Sequence, residues 1–257
     1  MSNNKKPKLI LASSSPRRKK LLSSAGWRFE TLGAAINETP NTHEQADAYV
    51  LRMAVEKVNA VIRQLKSQYS SYTGQDNQSI CIIAADTIVV DGNEILGKPR
   101  DDAEAVAMLS RLRAHIHEVY SALAVAFLEQ KTESKLYDIE LTHPLVTDVC
   151  ITEVIMRYYS DDEIITYVAS GDALDKAGAY AIQNNTFNPV ASLKGCFANV
   201  IGLPLCRLAP ILGQFNVKPY KLNEAFARCC LQANLDDYTR MNCCQTIWTF
   251  DDGNEAI

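Results

Sequence analysis

The sequence predicts an α/β fold of the mixed α+β kind. Three observations support this. Short apolar runs such as Leu9–Ala12 and Ile80–Ala85 are bounded by turn formers, as buried strands are. A longer segment, Ala46–Leu65, repeats apolar residues at helical spacing. Segments of the two kinds alternate along the chain instead of separating into an all-helical and an all-strand half.

In chain order, residues 8–12 read as a strand. Ser13-Ser14-Ser15 supplies capping hydroxyls, and Pro16, preset for the first turn, opens a helix over 16–25. The second helix carries Val50, Met53, Ala54, Val58, Val61 and Leu65 on its apolar stripe. Residues 67–79 are rich in turn formers and read as a loop. Ile80–Ala85 reads as a buried strand. Ile88–Val90 and Ile95–Leu96 flank Asp91-Gly92-Asn93 as a hairpin. Asp101 and Asp102 cap a helix through Leu112. Val119–Leu128 and Val146–Arg157 read as strands joined by a polar link over 129–144. Ser160, with Glu163 three residues later, has the pattern of a capping box, and that helix stops at Gly171.

Of 257 residues, 47% are hydrophobic and 22% charged, enough apolar material for one large domain or two small ones. The net charge of −4 and the absence of a long basic run argue against nucleic acid as a partner. No stretch reaches the ~20 apolar residues of a membrane helix, and the polar residues 1–8 lack a signal core. The expectation is no membrane partner and a cytoplasmic location with reduced thiols. Cys81, Cys150, Cys196 and Cys206 lie in apolar segments and read as buried thiols. Cys229-Cys230 and Cys243-Cys244 are adjacent pairs, unlike the two-residue spacing of zinc pairs, and read as helix cysteines. The character of the chain changes near residue 210. The expected division is a domain over 8–210 and a C-terminal extension, 211–257, whose role as a docking or metal module stays open.

Several residues carry chemistry. Arg17 and Arg18 follow a serine cap at a helix start, where outward N–H groups and two guanidiniums suit a polyphosphate; two solvated arginines are the plainer alternative. Asp86 follows a buried strand, a place where ligands gather, and can activate water or hold Mg²⁺; capping a turn is its plainer role. Tyr49, Met53 and Lys57 share one helical face, so Lys57 can reach the same region from a rigid element. The hairpin after Asp86 is short enough to bring Lys98 back beside it.

Five ordered segments resemble the Maf family, the septum-formation-inhibitor-like nucleoside triphosphate pyrophosphatases. They are Ser13-x-Ser15-Pro16-Arg17-Arg18, Tyr49 to Lys57, Ala84 to Val89 with Gly97-Lys98-Pro99, Asp175-Lys176-Ala177-Gly178-Ala179-Tyr180, and Gly195 to Leu205. His117-Glu118-Val119 resembles a further strand of the family, and His117 is expected to order its loop. The resemblance implies an elongated mixed sheet flanked by helices around a nucleotide cleft. It implies hydrolysis of a nucleoside triphosphate to monophosphate and pyrophosphate, with dTTP and UTP as substrates. The dTTP/UTP branch is suggested by Arg17, Thr87 and Gln183. It assigns Asp86, Lys57 and Lys98 to catalysis. Ser13, Arg17, Arg18, Thr87 and Gln183 would bind substrate, and Glu38 and Asp86 would hold Mg²⁺ or Mn²⁺. A nucleotide-binding regulator of cell division is the alternative, and a homodimer is one assembly left open. The chain departs from the family pattern at Asn37, where a second carboxylate is usual, and between Arg111 and Ile116, which lacks a glycine. Ala181 and Asn184-Asn185 also replace glycines, and asparagine is expected to supply the left-handed turn there.

Overall fold

The computed structural model describes residues 7–69, 79–133, 136–141, 143–220 and 247–249. These form a nine-stranded mixed sheet with helices on both faces, α3 (Asp102–Leu112) and α4 (Asp161–Ala169) among them, as the alternation of the sequence requires. The central strands are β1 (Lys8–Leu11), β3 (Ile80–Asp91), β5 (Ile116–Glu133), β7 (Val146–Met156) and β8 (Val190–Lys194). The order is β2-β1-β3-β5-β7-β8-β9, with β2 at Glu30–Thr31 and β9 at Ile247–Thr249. β1 runs parallel to β2 and β3, and the remaining pairs are antiparallel.

The long apolar run of β3 has a simple cause. Ile80, Ile82 and Ala84 pack against α2 (Ala46–Tyr69), while Cys81, Ile83 and Ala85 face the larger cluster on the other side. Successive side chains point to opposite faces, so a strand covered on both must be apolar throughout. The same alternation sends Asp86 toward α2 and Thr87 toward α1 (Pro16–Ser24) and α5 (Phe197–Ile201).

The register opens a gap in the sheet. β1 pairs with β3 only as far as Leu11 opposite Ile83, and β4 (Glu94–Leu96) pairs with it only from Val89 onward. Residues 84–88 therefore have β5 on one side and neither β1 nor β4 on the other. A strand edge beyond the end of a parallel neighbour is a usual place for a ligand.

Sequence expectation and structure differ in five places. Ile80–Ala85 and Ile88–Val90 are one continuous strand, β3, so Asp86 stands within it rather than after its end, held by its pairing with Ala122 of β5. Helix α2 continues to Tyr69, three residues into the expected loop. The expected link over 129–144 is largely a hairpin of β5 with β6 (Leu136–Leu141). Ala114, where no glycine is available, takes the left-handed backbone itself, with φ +53°. Asn184 and Asn185 do not supply a left-handed turn. Asn184 Oδ1 instead accepts from the N–H groups of Thr186 and Phe187, and the non-glycine residues of this segment with positive φ are Ala179 and Asn188. The four tail cysteines lie outside the described residues. Among those residues, no helix is long and apolar enough to cross a membrane.

His117 sits inside β5 and is 2% exposed, with Nε2 2.8 Å from the Tyr180 hydroxyl. It ties strand to loop rather than lying in the loop. Burial, only partly offset by nearby Asp91, pushes its pKa down to about 4. The unfolded chain, with a histidine near 6.5, then binds the extra proton first. Stability from this residue is complete above about pH 6.5 and is lost as pH falls toward 4. The whole loss is about 3 kcal/mol, as an order of magnitude. His117→Gln should flatten that part of the curve of unfolding free energy against pH. An unchanged slope between pH 6.5 and 4 would assign the acid sensitivity to other groups.

Candidate active site

All nine residues singled out in the sequence line one cleft of about 630 Å³: Ser13, Arg17, Arg18, Glu38, Lys57, Asp86, Thr87, Lys98 and Gln183. The volume lies within the ordinary range for small-molecule sites. The cleft opens along the stretch of β3 that neither β1 nor β4 pairs with.

On one side, α1 starts as its sequence dictates. Ser15 caps it by accepting from Arg18 N, and Pro16 occupies the first turn. The Arg18 guanidinium spreads its donors over three elements: Gly202 O at 2.8 Å, Thr87 Oγ1 at 3.1 Å and Ser13 Oγ at 3.5 Å. Burial lowers its pKa, while Asp86 and Glu38 pull the other way. Ser13 Oγ also accepts from Ser15 N, so its proton is the group it has to give. Behind Thr87, Ser121 Oγ lies 2.8 Å away and in turn donates to Asn199 O.

On the other side, Lys57 reaches in from α2. Its Nζ is 2.5 Å from Asp86 Oδ1 and 3.1 Å from Glu38 Oε1, so two carboxylates converge on one ammonium. Burial opposes ionisation of Glu38. The Lys57 ammonium, with Lys98 and Arg18 behind it, outweighs that and holds the carboxyl below its ordinary pKa. Tyr49, whose own pKa burial pushes up to about 12, donates to Glu38 O at 2.7 Å. Arg52 bonds Thr39 O and Glu44, which fixes the loop that carries Glu38.

The third wall is the segment from Asp172 to Gln183. Lys176 is buried, and its Nζ bonds Asp172 Oδ1 at 2.8 Å and Asp175 Oδ1 at 2.5 Å. Asp175 also meets Arg17 at 3.3 Å, linking this wall to α1. Gly178 takes φ +67° and donates its N–H to Gly97 O at 3.0 Å, pinning the loop before Lys98. A Cβ there would stand 3.0 Å from a Val89 methyl, so only glycine fits without a shift.

Sequence reasoning missed the supports: Arg52, Ser121, and the backbone carbonyl of Gly202 that accepts from Arg18. Carbonyl direction leaves no trace in residue type. Arg52 had one available signal, its position five residues before Lys57 within the matched helix segment.

The donor set suits a hard divalent cation. Glu38 and Asp86 offer carboxylate oxygens that already gather around one positive charge, and such oxygens favour Mg²⁺ and Mn²⁺ over softer ions.

The sequence pattern of the family described as Maf-like protein matches residues 8–215. A dTTP/UTP pyrophosphatase of Myxococcus xanthus is 40% identical over 204 residues, 79% of this chain and 90% of its own length. Proteins of the same name from Geotalea uraniireducens and Escherichia coli are 39% and 38% identical, over 80% and 81% of this chain and 94% and 93% of their own lengths. With its cleft residues inside the matched span, the chain belongs to the Maf-like protein family.

Proposed function

We propose that the chain hydrolyses nucleoside triphosphates, dTTP and UTP foremost, to the monophosphate and pyrophosphate, and so clears excess or noncanonical pyrimidine nucleotides. The observation that carries this is the cleft's division of charge. Arg17, Arg18 and Lys98 line it as cations, and Glu38 and Asp86 meet at Lys57 in the same space. A triphosphate needs its charge neutralised and a water activated, and both sets of groups lie along one edge of β3.

In this reading Arg17, Arg18 and Lys98 bind phosphate oxygens and stabilise charge that grows on the leaving pyrophosphate. Asp86 accepts the proton of the attacking water as its oxygen bonds the α-phosphorus and the α–β bridging bond breaks. Lys57 holds Asp86 in position, and Ser13 donates its proton to a phosphate oxygen. Glu38 and Asp86 would hold Mg²⁺ or Mn²⁺, which when bound polarises phosphate oxygens and neutralises their charge. Pyrophosphate release on a panel of dTTP, UTP, CTP and 7-methyl-GTP, with each metal, is the test. Tight dTTP binding without pyrophosphate would mark a nucleotide-binding regulator instead.

Gln183 is proposed to read the base. Its amide both donates and accepts, matching a pyrimidine carbonyl and N3–H, while a carboxylate only accepts. Gln183→Glu should therefore reduce kcat/KM for dTTP and UTP by at least about tenfold, since it leaves a base carbonyl facing an acceptor. An unchanged profile across the four nucleotides would remove Gln183 from base recognition.

We also propose that the catalytic unit and the extension, divided near residue 210 by sequence character, are separable in function. Helix α6 (Leu205–Gln214) is followed by Phe215, whose ring stacks 3.6 Å from Phe127, and by Tyr220, whose N–H donates to Gly26 O at 2.7 Å. Beyond them, β9 pairs with Ser192–Lys194 at the far edge of the sheet. A chain ending at 220 is expected to keep full pyrophosphate release. One ending at 212 should melt at a lower temperature because it loses the Phe215 stack. A folded but inactive chain ending at 220 would make the extension part of the site.

A further inference from the structure

Three cysteines outside the cleft converge in the core. Cys150 lies on β7, Cys196 at the N-cap of α5 and Cys206 on α6, and their sulfur atoms all lie within 4.8 Å of one another. Their exposures are 1%, 0% and 1%. We propose that these three thiols form a binding site for a trivalent thiophilic metalloid, taken up as arsenite.

The geometry needs little change. Bonds of about 2.3 Å, the metal–sulfur scale, bring three sulfurs to about 3.5 Å from one another around a pyramidal trivalent centre. Sulfurs no more than 4.8 Å apart close to that spacing by side-chain rotation. Charge selects the ion. A thiol ligates as the thiolate, so three ligands bring three negative charges into a buried core they share with Val154, Leu203, Leu205 and Leu208, where the neutral Thr152 hydroxyl bonds Cys196 N and O. Uncompensated charge is costly in such a place. A trivalent centre leaves the product neutral. Zn²⁺ would leave a negative charge and, in a structural site, would want a fourth ligand; Cu⁺ would leave more charge.

The reaction balances without an oxidant or reductant. Three As–O bonds of As(OH)₃ break and three As–S bonds form. Each thiol proton leaves with a hydroxide as water, giving three waters, and arsenic stays trivalent. The sulfurs are buried, so uptake requires local opening of the α5–α6 corner. That corner also presents Asn199 O to Ser121 and Gly202 O to Arg18. The metalloid would therefore cross-link three elements directly behind the cleft wall.

The test uses the full-length chain with Cys229, Cys230, Cys243 and Cys244 replaced by serine, incubated with arsenite and weighed by native mass spectrometry. The expected result is one arsenic per chain, with a mass gain of one arsenic atom less three protons. Cys150→Ser, Cys196→Ser and Cys206→Ser should each weaken uptake by at least about tenfold, the scale on which even supporting residues act on metal affinity. The alanine variant replaces any serine variant that fails to fold by circular dichroism. No uptake, uptake left unweakened by loss of any one of the three, or the mass of a two-thiol adduct retaining a hydroxyl would overturn the proposal. So would tighter retention of Zn²⁺ than of arsenite.

Discussion

Asp86→Asn is expected to lower pyrophosphate release by ~10²–10⁴-fold, the usual cost of losing a general base, while the protein stays folded. Asparagine keeps the volume and the hydrogen-bonding reach of aspartate but takes no proton from water at working pH. The fold should tolerate it. Asp86 lies on the stretch of β3 that faces the cleft, between its pairings with β1 and β4, and its backbone remains paired with Ala122 of β5. Lys57 keeps Glu38 as a charged partner at 3.1 Å. The measurement is kcat at saturating dTTP together with the melting temperature. Retention of more than about a tenth of the activity would exclude Asp86 as the base, and a large drop in melting temperature would assign it a structural role.

The parts of this molecule legible in its sequence are those where residue type and short-range spacing decide the outcome. The cap and proline of α1, the capping box at Ser160, the hairpin around Gly92 and the two-sided apolar run of β3 are of this kind. The candidate site was legible because its residue types recur in an order that resembles a family, although Asp86 stands inside β3 and Lys57 inside α2 rather than at their ends. The hairpin of β5 with β6 was not. Its Gln130-Lys131-Thr132-Glu133 stretch is polar, and backbone pairing rather than apolar character makes it a strand. The convergence of Cys150, Cys196 and Cys206 was equally hidden. They stand on separate elements with no ligand spacing, and only tertiary packing brings them together. Strand β9 pairs across more than fifty residues of sequence, a distance no local pattern spans.

Lys57→Met should reduce kcat by ~10²–10³-fold, the scale of removing one preorganised electrostatic group, yet strengthen binding of Mn²⁺ to the nucleotide-free protein. The second effect follows from the geometry. The ammonium at 2.5 Å from Asp86 and 3.1 Å from Glu38 takes the position of a cation between the two carboxylates proposed as metal ligands. Like unit charges ~4 Å apart near a protein surface repel by about 4 kcal/mol, so relief of even a third of that raises affinity about tenfold. A triphosphate supplies the negative charge that lets lysine and metal coexist, in keeping with Mg²⁺ sites completed by substrate phosphates. Methionine preserves the length and apolar stem of a residue that is 8% exposed on α2, so packing should survive. Lys57→Arg keeps the charge but replaces a compact donor with a planar fork, and should restore weak Mn²⁺ binding without restoring turnover. Mn²⁺ titration followed by electron paramagnetic resonance, set beside kcat for dTTP, separates the alternatives. Weaker or unchanged Mn²⁺ binding in the methionine variant would show that Glu38 and Asp86 do not hold the ion, and that Lys57 serves the site only by positioning Asp86.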